Sequence, residues 1–174
     1  MTSAPNDAVL AAMVRVDHAG EFGAVRIYDG QLAILGRTAV GDDLRAMRDQ
    51  ECEHLATFAD ILARRRVRPT ALLPLWHFAG FALGAATALM GKEAAMACTQ
   101  AVEDSVVAHY GNQIAALGET EPDLRTTIIR IQGEEQAHGD HAVAAGAKRA
   151  PAYALVYHSI RLGCRTAIAI SQKF

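Results

Sequence analysis

The sequence has few of the residues that would indicate a secreted, disulfide-stabilised or β-rich protein. Its 174 residues include only three cysteines, five prolines and 6% aromatic residues. An odd number of widely spaced cysteines forms neither a disulfide framework nor a C-x-x-C motif. Few prolines and aromatic residues, together with abundant alanine and leucine, favour packed helices over a sandwich or barrel. We therefore predict an all-α protein that works in a reducing compartment.

The chain also lacks a large excess of either charge. Its formal net charge of -2 gives no general basis for nucleic-acid binding, and we predict no nucleic-acid partner. One local basic cluster, which a solvated helix end explains equally well, comprises Arg64, Arg65, Arg66 and Arg68. No basic start precedes a long apolar core at the N-terminus, so we expect no removable leader. The length suits a single domain over residues 1–174.

Helical periodicity, capping residues and prolines divide the chain into six predicted helices. The predicted bounds are Asn6 or Asp7 to Leu35 with Gly36 closing the helix, Asp42 or Asp43 to a stop before Pro69, Ala71 to Met90, Glu93 to Leu117, the end of the GETEPD segment to Ala145, and Pro151 to Ser171.

An internal repeat links the first and fourth of these helices. The segment EFGAVRIYDGQLAIL, which starts at Glu21, aligns with EDSVVAHYGNQIAAL, which starts at Glu103. The alignment also places Tyr28 opposite Tyr110. Each copy is followed at a similar distance by one E-x-x-H motif. The repeat therefore predicts two helical hairpins of one design.

The two E-x-x-H motifs predict a metal site. Residues three apart lie on nearly the same face of a helix, so each motif presents a carboxylate and an imidazole together. One such motif alone is weak, because charged helices contain it by chance on a solvated face. Two helices that give Glu and two that give Glu-x-x-His form the ligand pattern of ferritin-like four-helix bundles. The predicted ligands are Glu21, Glu51, His54, Glu103, Glu135 and His138.

Charge balance supports two divalent ions at this site. Four ionised carboxylates in a bundle core would each cost several kcal/mol without cations between them. Oxygen and imidazole ligands without thiolate favour iron or manganese over structural zinc. We expect Glu51 and Glu135 to bridge both ions. The pairs that complete the two ions are Glu21 with His54 and Glu103 with His138.

Several neighbouring residues leave alternatives open. His141 follows His138 by three residues and competes with it, but Thr57 stands at the equivalent place in the first repeat, so we retain His138. For His18 and His109, a hydrogen bond to a ligand and ordinary packing are equally good interpretations. Lining of a substrate channel and packing in the core are the alternatives for Tyr28 and Tyr110.

The segment from Ala71 to Met90 has no formal charge and is long enough to be a transmembrane candidate. A single crossing would separate the two halves of the predicted metal site, so the segment must return to the same side. It occupies the long crossover of a ferritin-like bundle. Docking on an anionic membrane surface is one interpretation, and a buried helix or a protein interface is the other. The last helix, from Ala152 to Ile170, is similarly apolar.

The segment RVDHAGEFGAVRIYDGQLAIL resembles the opening helix of the demethoxyubiquinone hydroxylase family, the di-iron monooxygenases of ubiquinone biosynthesis. QECEHL, ACTQAVEDSVVAHYGNQI, GEEQAHGDH and APAYALVYHSIRLGCRTAIAIS resemble the later helices of that family in the same order. The resemblance covers nearly the whole chain. It implies that the six predicted ligands occupy the family's iron-ligand positions.

The resemblance also implies an activity. The expected reaction is hydroxylation of the ring of a polyprenylated methoxy-benzoquinone with O2, two Fe2+ ions per chain, and NADH or another reductant. Peripheral association with the cytoplasmic face of an inner membrane is expected, with a homo-oligomer or other ubiquinone-biosynthesis proteins as further partners. The alternatives are an iron-storage protein, a di-metal peroxidase or catalase, and a scaffold protein with a vestigial site.

Overall fold

The computed structural model describes residues 6–173, and within that range the regular elements are all helical. The bounds are α1 Asp7–Leu35, α2 Gly41–Arg65, α3 Leu73–Leu89, α4 Lys92–Leu117, α5 Pro122–Ala144 and α6 Tyr153–Ser171. A short 3-10 helix, Ala147–Arg149, lies between α5 and α6. The predicted single domain and the N-terminus without a leader extend into residues 1–5 and 174, which lie outside the described range.

The first helix begins and ends as its sequence predicts. The side chain of Asn6 accepts a hydrogen bond of 3.0 Å from the backbone N–H of Val9, which satisfies one of the free donors of the first turn. Gly36 closes the helix and donates its backbone N–H to the carbonyl oxygen of Leu32. Both capping predictions are confirmed.

Three predicted bounds are corrected by two to four residues. The last helix begins at Tyr153 rather than at Pro151, because Ala152 has a left-handed φ of 51° and cannot belong to the helix. The second helix ends well before Pro69, because Arg66 is left-handed with φ 54°. The fifth begins within the GETEPD segment, at Pro122, since proline suits the first turn of a helix.

The bundle consists of two hairpins, each with an added helix. α1 packs against α2, and α4 packs against α5. The crossover helix α3 lies on α1, while the last helix α6 lies on α4. The repeat detected in the sequence therefore extends to three helices per copy. The all-α, ferritin-like prediction with a crossover helix and a C-terminal helix is confirmed.

Glycines allow α3 to approach α1 closely. A Cβ atom at Gly80 would lie 2.9 Å from the carbonyl oxygen of Gly23, and one at Gly84 would overlap the carbonyl oxygen of Ile27. A backbone atom cannot rotate out of the way as the end of a side chain can. The contact between the two helices therefore requires glycine on α3, and it fixes α3 along the length of α1.

The opposite face of α3 is exposed. Phe78 and Leu89 are each 72% exposed, and on α6 Leu155 is 69% exposed. The crossover segment is therefore not a buried helix. Among residues 6–173, no helix combines the length and the hydropathy needed to cross a membrane.

Candidate metal centre

The six predicted ligands meet at the middle of the bundle, between two apolar clusters. One cluster includes Leu44 and Met47, and the other includes Phe58 and Ile61. On α2 the site residues lie between these two pairs, and the other three bundle helices pass through the same layers. The six side chains brought together are Glu21 on α1, Glu51 and His54 on α2, Glu103 on α4, and Glu135 and His138 on α5.

The six side chains form two overlapping groups of four. Within each group, one nitrogen or oxygen atom per residue lies within 4.8 Å of all the others. Glu51 and Glu135 belong to both groups, the arrangement expected if they bridge two ions. The groups are Glu21, Glu51, His54 and Glu135, and Glu51, Glu103, Glu135 and His138. The geometry is thus compatible with the predicted assignment, and metal binding itself remains a prediction.

Burial and missing hydrogen bonds make the cluster suitable for cations. None of the six residues is more than 5% exposed. In the described structure the buried carboxylate oxygens of Glu51 and Glu135 have no polar neighbours that could pair with them except the two site histidines, and one oxygen of Glu103 has no hydrogen-bond partner. Buried polar atoms are normally satisfied, because an unpaired one costs about 1–3 kcal/mol. Two divalent ions would provide the missing partners and balance the four negative charges.

The two histidines direct one ring nitrogen into the cluster and one away from it. The outward Nε2 of His54 lies 2.7 Å from a carboxylate oxygen of Glu134, and that of His138 lies 2.9 Å from Oε1 of Gln50. Both partners accept hydrogen bonds, so each Nε2 carries the hydrogen. The inward Nδ1 atoms face the carboxylates, with Nδ1 of His54 3.0 Å from an oxygen of Glu135 and Nδ1 of His138 3.0 Å from an oxygen of Glu51. This is the orientation of a metal-binding imidazole.

Two buried tyrosines connect the hairpins through the glutamates. The hydroxyl of Tyr28 on α1 donates a hydrogen bond of 2.8 Å to Glu103 on α4. In the reciprocal contact, Tyr110 on α4 donates to Glu21 on α1. Neither lining of a substrate channel nor packing in the core predicts a hydrogen bond from these tyrosines to the glutamates. They lie in the core, and each one orients the predicted ligand of the other hairpin.

The carboxyl groups have perturbed pKa values. Burial, followed by repulsion from Glu135, raises the pKa values of Glu21, Glu51 and Glu103 above the ordinary carboxyl value. Burial also acts to raise the pKa of Glu135, but its interactions with the two site histidines outweigh that effect and lower it to about 2. A cluster without cations therefore retains protons, which divalent ions would displace on binding.

The other candidate residues lie outside the cluster. The side chain of His141 is 43% exposed, and its Nε2 lies 3.3 Å from a carboxylate oxygen of Asp43. His109 lies 3.3 Å from a carboxylate oxygen of Asp17. His18 is buried, and its Nδ1 has no hydrogen-bond partner. In the described structure none of these three histidines forms a hydrogen bond to a predicted ligand. His138 belongs to a candidate metal group and His141 does not, which is compatible with the prediction of His138 as the ligand.

An apolar cavity of about 450 Å³ lies between α1, α3, α4 and α6. Its lining includes Trp76 and Leu83 on the crossover helix and Cys164 on the last helix. Gly20 and Val102 also line it, and they directly precede Glu21 and Glu103 in the sequence. The cavity therefore borders the turns of α1 and α4 that carry these two ligands.

A four-helix bundle with a buried cluster of four glutamates and two histidines defines the class of ferritin-like di-metal carboxylate proteins. A family model described as "Ubiquinone biosynthesis protein COQ7" matches residues 8–171. The chain belongs to this family, as its resemblance to the demethoxyubiquinone hydroxylases predicts.

Curated relatives cover most of the chain. It is 51% identical over 173 residues to the "NADPH-dependent 3-demethoxyubiquinone 3-hydroxylase, mitochondrial" of Mus musculus, with 97% of this chain and 80% of the relative covered. It is 50% identical over 174 residues to the "3-demethoxyubiquinol 3-hydroxylase" of Rhodospirillum rubrum, with 97% and 82% covered. Identity to the "5-demethoxyubiquinone hydroxylase, mitochondrial" of Saccharomyces cerevisiae is 38% over 178 residues, with 92% and 76% covered.

Proposed function

We propose that the protein hydroxylates the ring of a polyprenylated methoxy-benzoquinone with O2 at a carboxylate-bridged di-iron centre, in a late step of ubiquinone biosynthesis. The observation that carries this proposal is the buried cluster of unpartnered ligand atoms in a chain of this family. The names of the relatives support the substrate and the reaction, since they specify hydroxylation of demethoxyubiquinone or demethoxyubiquinol.

The six ligands would hold two ferrous ions, with Glu51 and Glu135 shared between them. When bound, iron supplies the electrons and the open coordination positions through which O2 is activated. The protein contributes the geometry of the site. Tyr28 and Tyr110 fix the two single glutamates across the hairpins, and the apolar clusters above and below the site limit the access of water.

The apolar cavity is the proposed substrate site. Its volume of about 450 Å³ lies in the range of small-molecule pockets, and apolar side chains and glycines dominate its lining. An isoprenoid tail would gain free energy by leaving water for such a surface. A tail that leaves the cavity between α3 and α6 would place the quinone ring toward Gly20 and Val102, next to the metal ligands.

The reaction requires a reductant. Insertion of one oxygen atom of O2 into a ring C–H bond consumes two electrons and two protons, and the second oxygen atom leaves as water. NADH or NADPH is the proposed electron source, and NADPH is specified in the names of the mitochondrial relatives from Mus musculus and Homo sapiens. The electrons would reach the site through the bound quinone or from a separate reductase.

We further propose docking at the cytoplasmic face of an inner membrane, and the exposed apolar faces of α3 and α6 support attachment to a bilayer surface. Phe78, Leu89, Leu155 and Leu162 are each at least 65% exposed. Such side chains gain free energy on entering the interfacial region of a bilayer, where the tail of the substrate resides. A homo-oligomer or contacts with other ubiquinone-biosynthesis proteins would use part of the same faces.

A matched pair of variants tests the proposal. Glu135→Ala removes a bridging ligand, whereas Glu53→Ala removes an exposed carboxylate two residues after Glu51 on the same helix as that ligand. We expect the Glu53 variant to bind two irons per chain and to hydroxylate a short-chain demethoxyquinone at the normal rate. The Glu135 variant should lose iron binding and turnover, and full retention of both would refute the site.

A further inference from the structure

The outward Nε2 atoms of His54 and His138 have different hydrogen-bond partners, although the repeat makes the two histidines equivalent. Gln50 and Glu134 each directly precede the glutamate of an E-x-x-H motif. Each side chain reaches across to the histidine of the opposite hairpin: Gln50 to His138 at 2.9 Å, and Glu134 to His54 at 2.7 Å. One histidine therefore donates to a neutral amide, and the other donates to a carboxylate.

The carboxylate at Glu134 is itself held in place. Arg130, one turn earlier on α5, donates to both oxygens of Glu134 at 2.9 and 2.6 Å. The Glu134 side chain is 28% exposed and lies at the edge of the cluster. Within the described structure, the side chain of Gln50 forms only its hydrogen bond to His138. The hydrogen bonds around the two histidines therefore differ. His54 is linked through Glu134 to Arg130, whereas the outward Nε2 of His138 contacts only the amide of Gln50.

We infer that Glu134 and Gln50 are positioning residues that make the two metal positions inequivalent. A carboxylate that accepts the outer N–H of an imidazole increases the basicity of the inner nitrogen, whereas an amide does so far less. The ion bound by Glu21 and His54 is then held more tightly than the ion bound by Glu103 and His138. This inference rests on the proposed di-metal site, and it concerns the order in which the two positions fill.

The chain offers a matched exchange that tests the inference. Glu134→Gln makes both histidines donate to amides, Gln50→Glu makes both donate to carboxylates, and the double variant exchanges the two environments. Each substitution nearly preserves volume and keeps an acceptor for the imidazole. Stepwise binding of Fe2+ is measured without O2 by competition with a chelator, and Mössbauer spectra of the iron-loaded proteins report how many iron environments are present.

For the wild-type protein we expect two binding steps that differ about tenfold in affinity, since removal of such outer contacts typically changes metal affinity by about 10–100-fold. Each single variant should bring the two affinities together and merge the two Mössbauer signals. The double variant should restore two steps and two signals, a result that a merely structural role of Glu134 would not produce.

Two equal sites in the wild-type protein, or a difference unchanged in Glu134→Gln, would overturn the inference and leave the proposed function intact. Absence of any iron binding would overturn both. Melting temperatures of the metal-free variants serve as the control for folding.

Discussion

Replacement of Gly84 by alanine tests whether the close contact between α3 and α1 shapes the apolar cavity. A Cβ atom at this position would overlap the carbonyl oxygen of Ile27, lie 2.8 Å from its carbonyl carbon and lie 3.1 Å from the backbone nitrogen of Gln31. All three are backbone atoms, so α3 must move away from α1. Overpacking of this kind typically lowers the free energy of unfolding by about 1–3 kcal/mol. For a chain of this length, the melting temperature should fall by about 2–12 °C.

Gly133→Ala provides the matched control. Gly133 also lies within a helix, but it is exposed and a Cβ atom there would meet no atom within 4 Å. Alanine favours the helix over glycine by about 0.5–1 kcal/mol, so this variant should melt at a higher temperature than the wild type. The measurement is thermal unfolding followed by circular dichroism. If Gly84→Ala were as stable as Gly133→Ala, the helices would not be in the contact described here.

Three further predictions concern the site and the membrane. Tyr110→Phe removes the donor to Glu21 and should weaken iron binding about tenfold in a chelator competition, whereas unchanged affinity would show that the contact is unimportant. Because burial raises the pKa values of Glu21, Glu51 and Glu103, their ionisation makes the metal-free protein less stable as pH rises above the ordinary value of 4.5. Bound Mn2+ would offset the repulsion between the ionised carboxylates. The rise in melting temperature on adding Mn2+ should therefore be larger at about pH 8 than at about pH 5, and a smaller rise at the higher pH would contradict the pKa argument. Phe78→Asp should reduce cosedimentation with anionic vesicles relative to Glu53→Ala, and equal binding of the two variants would refute docking through α3.

The sequence was sufficient for those parts of the fold that depend on local chemistry. The start of α1 follows from an Asn6 side chain that caps the helix within three residues. The corrections at Arg66 and Ala152 have a different origin, because both residues adopt a left-handed φ, and at Arg66 that conformation closes the helix with a backbone hydrogen bond of 3.0 Å from Val67 to Leu62. No property of arginine or alanine predicts that conformation, since both are good helix formers.

In the site, too, the sequence predicts the residues but not their contacts. The repeat brings Glu21 and Glu103 into correspondence, and helical spacing joins Glu51 with His54, so the six candidates follow from the sequence. The contacts that orient them do not. Tyr110 reaches the glutamate of the opposite hairpin, a relation that depends on the rotation of the two hairpins about each other. The repeat aligns Tyr28 with Tyr110 and so indicates that the two tyrosines have equivalent roles, but it does not predict which residue each hydroxyl contacts.

The most direct test of the central proposal is to follow the oxygen atom itself. Iron-loaded protein in liposomes is given a short-chain demethoxyquinone, NADPH or NADH with a reductase where one is needed, and isotopically labelled O2, and the product is analysed by mass spectrometry. We expect a hydroxylated ring whose new oxygen carries the label, with a yield that falls to background in Glu135→Ala. Oxidation of the reductant without a hydroxylated product, or a product whose oxygen comes from water, would contradict the proposed function.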